Sequence, residues 1–375
     1  MQECYLPTGN EWVSLPTLQA RTGALESFSF LHMGYKGLIE QRGGASLPLM
    51  TPFFETEGER ASLQSLTWGR KSDWIPTFCG TAGSLAVEGM LLAPVGERGF
   101  LYQLTVRSTS DKPLSSTFGL EGCWASAWHC VNEDKEIDGA RRCYTSLWND
   151  SLIFDMRCGL PLFAFAPMMD QPCSSTFQET DAGIVYRLAH ACTLEPGEAV
   201  TVTFYWGVGF EEVAAATSAK EMLRQGWQHE LQVTTDWLDA RRWPIPDAQL
   251  ERLYNTNLFF CLFYSAGITL DTEELVLVTS RSPRYYVSAA YWDRDSLLWS
   301  FPTVVDADPA LARRMLDYVF GRQRRNLGVH SRYIDGTVLE PGFELDELMA
   351  PVLALERYVG ATGDRDCLED NAIRS

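Results

Sequence analysis

Two stretches of this sequence concentrate residues able to do chemistry. The first is Tyr291-Trp292-Asp293-Arg294-Asp295-Ser296, which sets three charges inside an aromatic and aliphatic run that continues as Leu297-Leu298-Trp299. Charges embedded in apolar sequence cost heavily unless they are paired or line a functional cleft. One reading is structural: an Asp293–Arg294–Asp295 ion-pair knot at the start of a helix near Asp295. The other is a sugar subsite, in which Asp and Arg grip vicinal hydroxyls through charge-assisted hydrogen bonds and Trp292 forms the floor. The second stretch, Tyr333 to Leu348, carries five carboxylates: Asp335, Glu340, Glu344, Asp346 and Glu347. Acids in the first turn of a helix complement its dipole, which accounts for Glu344 and Glu347. A carboxyl group in that turn, lining a cleft, can also serve as a general acid, because burial raises its pKa toward neutrality.

Such residues need a scaffold, and the composition bounds it. The chain has 375 residues, 46% hydrophobic and 21% charged, the profile of a folded protein with room for two domains. Lys and Arg total 31 against 49 Asp and Glu, a formal charge of −18. So acidic a chain repels phosphate backbones and anionic lipid, which argues against nucleic acid and membranes as partners. The 12 Trp, 14 Tyr and 19 Phe supply a large core, or stacking platforms for sugar rings. None of the ten Cys forms a CxxC pair, so zinc-ribbon and thioredoxin-type chemistry fail. The five His are dispersed, no glycine-rich phosphate loop follows a strand, and no GxSxG elbow is present. No metal or cofactor is expected. The N-terminus lacks a secretory pattern, and the most apolar run, Leu258 to Ile268, falls short of the ~20 residues that span a bilayer. The expectation is a cytoplasmic protein with reduced thiols.

Periodicity divides the chain in three. Residues 1–210 alternate in short runs, such as Phe100–Val106, Ser151–Met156 and Ala199–Val208, between turn signals, which predicts an antiparallel β-sandwich. Residues 211–246 turn helical, with Leu223, Trp227 and Leu231 in step, until Trp243-Pro-Ile-Pro246 stops them. This segment reads as a helical linker. Residues 247–375 read as helices. Asp247 caps one that carries Leu250, Leu253, Tyr254, Leu258 and Cys261 on one side. Asp308-Pro309 opens another, running to about Arg325. A third spans about Glu344 to Val359, with Leu345, Leu348, Met349 and Val352 inward and Gly360 at its C-terminal cap.

The two chemical stretches together resemble inverting glycosidases built on an (α/α)6 barrel behind an N-terminal β-sandwich. That group includes the glucosidase part of glycogen debranching enzymes, the trehalase and processing α-glucosidase relatives, and the metal-independent exo-α-mannosidases. Several open the barrel with a Trp-x-Arg-Asp-Ser/Thr signature that binds the terminal sugar, similar to Trp292-Asp293-Arg294-Asp295-Ser296. Tyr291-Trp292-Asp293 is similar to the trehalase-like Tyr-Trp-Asp-Ser pattern, with Arg294 intervening. An acidic helix start supplies the general acid in the group, and Glu344-Leu345-Asp346-Glu347 resembles it. The Leu-Asp frame implies Asp346 as the acid. The trehalase-like Gly-Trp-Asp frame implies Glu344, and glucoamylase's helix implies Glu347.

The resemblance implies hydrolysis of α-linked glucosides or mannosides by paired carboxyl groups about 6.5–9.5 Å apart. The group's base is a late Glu of the barrel. Twelve barrel helices need roughly 300 residues, and no more than about five fit after Asp247. The expectation is therefore a truncated barrel whose base lies beyond residue 375, and a chain inactive alone. Two alternatives accompany it. A disaccharide phosphorylase of the same architecture would replace the activated water by phosphate. A non-catalytic carbohydrate-binding module, or a homo-oligomer packing through its sandwich, would do no chemistry at all.

Overall fold

The structure, a computed structural model, describes residues 6–147, 149–370 and 373. Cys4 and the closing residues 371, 372, 374 and 375 lie outside them. The chain divides into two compact units. One comprises Met1–Phe28, Gln41–Trp128 and Glu136–Asp236, the other Ser29–Glu40, His129–Lys135 and Trp237–Ser375.

The first unit is mostly extended chain. Val, Thr, Phe and Tyr recur in Gly99–Ser108 and Ala199–Gly209, and such side chains favour a pleated surface. These strands pair antiparallel from Gly99↔Gly207 to Arg107↔Ala199 inside an eight-stranded sheet. Its order is Ala140–Thr145, Leu152–Cys158, Leu160–Met169, Ala199–Gly209, Gly99–Ser108, Leu85–Leu92, Ile75–Ala82, Leu63–Lys71. A five-stranded sheet runs Ser174–Thr180, Gly183–Leu194, Leu114–Trp124, Thr51–Thr56, Glu59–Ala61. The two sheets meet through aromatic side chains. Buried Trp124 and Tyr186 of the smaller sheet touch buried Phe154, Phe165 and Trp206 of the larger, at ring-centroid distances of 5.1 to 6.2 Å. These aromatic side chains form core between the sheets.

Residues 211–246, expected as one helical stretch, form two helices, α1 (Glu212–Gln225) and α2 (Trp227–Asp239). Gly226 separates them. Its φ of +85° ends α1, and its N–H returns to the Met222 carbonyl. Helix α1 seats on the large sheet through small residues. Ala215, Ala216 and Ala219 pack against Ile153, Ala164 and Ala166. Gly207 in the strand beneath makes the approach possible, since a Cβ there would stand 2.1 Å from the Ala215 carbonyl oxygen. Gly207→Val is expected to destabilise the protein by about 1–3 kcal/mol or more through overpacking. Urea unfolding would show a lower midpoint at an unchanged slope. An unchanged midpoint would mean that α1 does not sit there.

In the second unit, α3 (Ala248–Tyr264) starts as the sequence predicts. The Asp247 side chain accepts from the N–H groups of Gln249 and Leu250, both at 2.9 Å. Its buried face differs from the expected side: Leu258 is buried with Asn255, Phe259 and Leu262, while Leu250, Leu253 and Tyr254 are exposed. A wide π-type turn, Arg294–Ser300, runs into α4 (Phe301–Ala307). Asp308 caps α5 (Pro309–Tyr318) by accepting from the Leu311 N–H, and the helical path continues to Asn326. A hairpin of Val329–Arg332 and Val338–Phe343 leads to α6 (Leu345–Thr362).

The expected inward face of α6 is corrected by the structure. Leu345, Leu348, Met349 and Val352 are exposed, and the buried stripe is Glu347, Ala350, Pro351, Ala354 and Tyr358. Hydropathy selects the largest apolar side chains. The helix instead turns small ones inward, which permit close packing against the Arg294–Ser300 turn, α4 and α5. Its C-terminal cap is Gly363, at φ +72°, rather than Gly360. Among the described residues no helix is long and apolar enough to cross a membrane, and the nine described cysteines are free thiols.

Candidate active site

Backbone pairing brings the two chemical stretches together within the second unit. Tyr291 and Arg332 exchange hydrogen bonds, N–H to carbonyl oxygen at 2.9 and 3.1 Å, which lays residues 291–295 beside the hairpin. The Glu344 N–H donates to the Gly328 carbonyl at 3.0 Å and fixes the start of α6. Tyr291 to Asp295 and Glu344 to Glu347 therefore share one site.

Its lower layer is fully buried. Asp293, Arg332 and Glu347 have no solvent-exposed side-chain surface. Asp293 is an ion-pair partner of Arg332 and accepts from the Tyr291 hydroxyl. Arg332 also donates to the Gln323 carbonyl at 3.1 Å and lies over the Tyr291 ring, 4.9 Å from its centroid. Burial raises the Asp293 carboxyl above its ordinary value, while Arg332 and the Tyr291 hydroxyl oppose the rise. The expected Asp293–Arg294 pairing is thus not the one made. Asp293 turns inward to Arg332, 39 residues away in sequence.

Glu347 is held differently. Its Oε2 accepts from the backbone N–H groups of Asp293, at 2.6 Å, and Arg294, at 3.3 Å. Its Oε1 is buried with no hydrogen-bond partner, 3.7 Å from Arg294 Nη2. Desolvation, then the nearby charge of Asp293, pushes the Glu347 carboxyl up to about 8. It holds a proton at neutral pH. With Oε2 occupied by two donors, that proton belongs on Oε1.

The upper layer reaches solvent. Arg294, 29% exposed, draws four carboxyl groups around it: Asp346 at 2.9 Å, Glu344 at 3.2 Å, Asp295 at 3.4 Å and Glu347 at 3.7 Å. The hydrogen bond from Arg294 holds the half-exposed Asp346 below the usual carboxylate range. Burial raises Asp295, and Arg294 opposes it. Trp292 is only 6% exposed and meets His330 edge to face at 5.7 Å. His330 Nδ1 lies 2.7 Å from Glu344 Oε1. Glu340 accepts from Asn132 and Ser331 beside it, at 3.1 and 3.0 Å.

The expected catalytic and sugar-binding residues fall in this cluster, whereas Asp335 pairs with Lys36 at 2.9 Å and Ser296 donates to the Val278 carbonyl. Sequence reasoning missed Arg332 and His330. The signal for Arg332 was indirect: a buried Asp293 demands a cation, but nothing in the spacing says which.

No protein-family model matches the chain, and no curated protein matches it at significant similarity. Solved structures do. Over 98% of this chain and 55% of its own, a protein assigned as a kojibiose phosphorylase, from the human microbiome, superposes with a TM-score of 0.62 at 11% identity. A bacterial glucoamylase complexed with acarbose superposes over 95% of this chain and 56% of its own, with a TM-score of 0.54 at 11% identity. Identities this low show a shared fold. The chain spans about half the length of the structures it matches.

Proposed function

We propose that the cluster is the terminal-sugar subsite of an enzyme that cleaves α-linked glucosides or mannosides with inversion, and that Glu347 is its general acid. The observation that carries this reading is the setting of Glu347: a fully buried carboxyl group, pushed up to about 8 by desolvation and Asp293, whose Oε1 has no hydrogen-bond partner. A general acid works best when its pKa lies near the operating pH. Asp346, the sequence's first choice, is ionised and exposed beside Arg294, which suits a hydroxyl acceptor better than a proton donor. Glu344, tied to both His330 and Arg294, suits a positioning role. The Arg294 guanidinium lies 3.7 Å from the buried Glu347 Oε1, so on this reading a bound sugar shifts Arg294 to receive the proton. Arg294 then has Asp295, Asp346 and the sugar's own hydroxyls to grip.

Inversion requires a second carboxylate about 6.5–9.5 Å from the first. We assign that role to no residue of this chain. The likeness to a glucoamylase fold supports hydrolysis. The likeness to a protein assigned as a kojibiose phosphorylase favours a second reading, in which phosphate takes the place of water. Both use the same acid, and cleavage that depends on added phosphate would select the second.

The test is the pH profile of α-glucoside cleavage by the full natural polypeptide. Rates should fall on the alkaline side with a midpoint near 8, as Glu347 loses its proton. Asp346→Asn should keep that limb. Loss of the limb in Asp346→Asn, with turnover retained in Glu347→Gln, would transfer the acid role to Asp346.

A further inference from the structure

A cavity of about 740 Å³ opens in the second unit beside the C-terminal end of α5, lined in part by Arg314, Arg322, Arg325, Glu274, Asp317 and Asp335. Its lining shares no residue with the cluster at Asp293, Arg294 and Glu347. The three carboxylates already have cations. Glu274 pairs with Arg322, Asp317 lies 2.9 Å from Arg313 Nε, and Asp335 lies 2.9 Å from Lys36 Nζ. Arg314 and Arg325 are exposed and have no ion-pair partner among the described residues. The cavity wall thus presents two guanidinium groups that make no ion pair among the described residues, beside carboxylates that pair elsewhere, Asp317 through an Arg313 shared with Asp364 and Asp370. The sequence concentrates them here: Arg313, Arg314, Arg322, Arg324 and Arg325 fall in one short helical stretch. Arg314 and Arg325 both line the cavity wall.

Free guanidinium groups at a concavity suit a small dianion. The planar fork of Arg matches phosphate oxygens in pairs. The carboxylates on the same wall repel an extended polyanion, but can accept hydroxyl groups from a compact polar ligand. We propose that this cavity binds a phosphate monoester or inorganic phosphate through Arg314 and Arg325, separately from the glycoside-cleaving cluster. The inference does not depend on that cluster's function. Gly321, also on the wall, offers an independent handle. It has an ordinary backbone conformation, and nothing lies within 4 Å of where its Cβ would stand. The Cβ of a larger side chain has room there, and the side chain would add bulk to the cavity wall.

The test is calorimetric titration of the full chain, at constant ionic strength, with inorganic phosphate, with glucose 1-phosphate, and with sulfate as control. One saturable site for phosphate or glucose 1-phosphate is expected. Affinity should fall at least tenfold in Arg314→Gln/Arg325→Gln and in Gly321→Phe, with the circular dichroism spectrum unchanged. Tighter binding of glucose 1-phosphate would make a sugar phosphate the ligand, and equal binding would make it free phosphate. The proposal is overturned if neither probe saturates, if sulfate binds as tightly, or if Gly321→Phe binds like the parent. Because no arm measures turnover, failure here leaves the reading of Glu347 standing, and failure of that reading leaves this one.

Discussion

On its proposed role as general acid, replacing Glu347 by Gln is expected to lower α-glycoside cleavage by about 100- to 10,000-fold, the usual contribution of such a group. The amide keeps the shape of the side chain and can still accept the N–H groups of Asp293 and Arg294 at Oε1 of the new residue. It cannot release a proton to a leaving oxygen. Substrates with an activated leaving group need little protonation, so the loss on an aryl glycoside should be much smaller than on a disaccharide. A structural role for Glu347 would depress both substrates alike. Stability gives a second readout. The carboxyl is neutral in the folded protein up to about pH 8 and ionised above the ordinary carboxylate range when unfolded. Its contribution to stability is therefore complete at low pH and is lost as pH rises through the folded value. Glu347→Gln removes that dependence. Relative to the parent, the variant should gain stability as pH rises from 5 toward 8. A parallel pair of curves would show that Glu347 titrates normally.

The second large effect is on folding. Arg332→Met is expected to destabilise the protein by about 3–5 kcal/mol, because it leaves the Asp293 charge buried without its cation. Loss of packing alone would be independent of pH. Here the deficit should shrink as pH falls, since an Asp293 carboxyl freed of Arg332 takes up a proton more readily. A double variant with Asp293→Asn should recover part of the loss, as the uncompensated charge is then gone. Equal destabilisation at all pH values, with no recovery in the double variant, would show that Arg332 acts only as packing. The pair matters to the chemistry as well. Asp293 supplies part of the charge that raises Glu347, so whatever fixes Asp293 also tunes the acid.

How much of this was legible in the sequence follows from the range of each interaction. Alternation in Ala199–Val208 and the Asp308-Pro309 start are local signals, and the structure has a strand and a capped helix at those positions. The break at Gly226 is also local, but a period of four through Leu223, Trp227 and Leu231 masked it. The face of α6 was not legible from hydropathy. Its exposed side carries the larger apolar residues, and its buried side carries Ala350, Pro351, Ala354 and one carboxyl group. The candidate residues were legible as two clusters, because charge inside apolar sequence is a strong anomaly. Their division of labour was not. Asp346 and Glu347 are neighbours in sequence, yet one faces solvent beside Arg294 and the other is sealed against the backbone of Asp293. One residue is about 100° of helical rotation, and that rotation decides which of them is ionised.

The measurement that bears most directly on the central claim is the protonation of Glu347 itself. Carboxyl-carbon NMR of protein labelled at Glu Cδ, with Glu347→Gln to assign the resonance, would follow it through a pH titration. The account predicts that the Glu resonance missing from the variant titrates with a midpoint near 8. A Glu347 resonance that titrates in the ordinary range near 4–5 would contradict it, and would remove Glu347 as the proton donor.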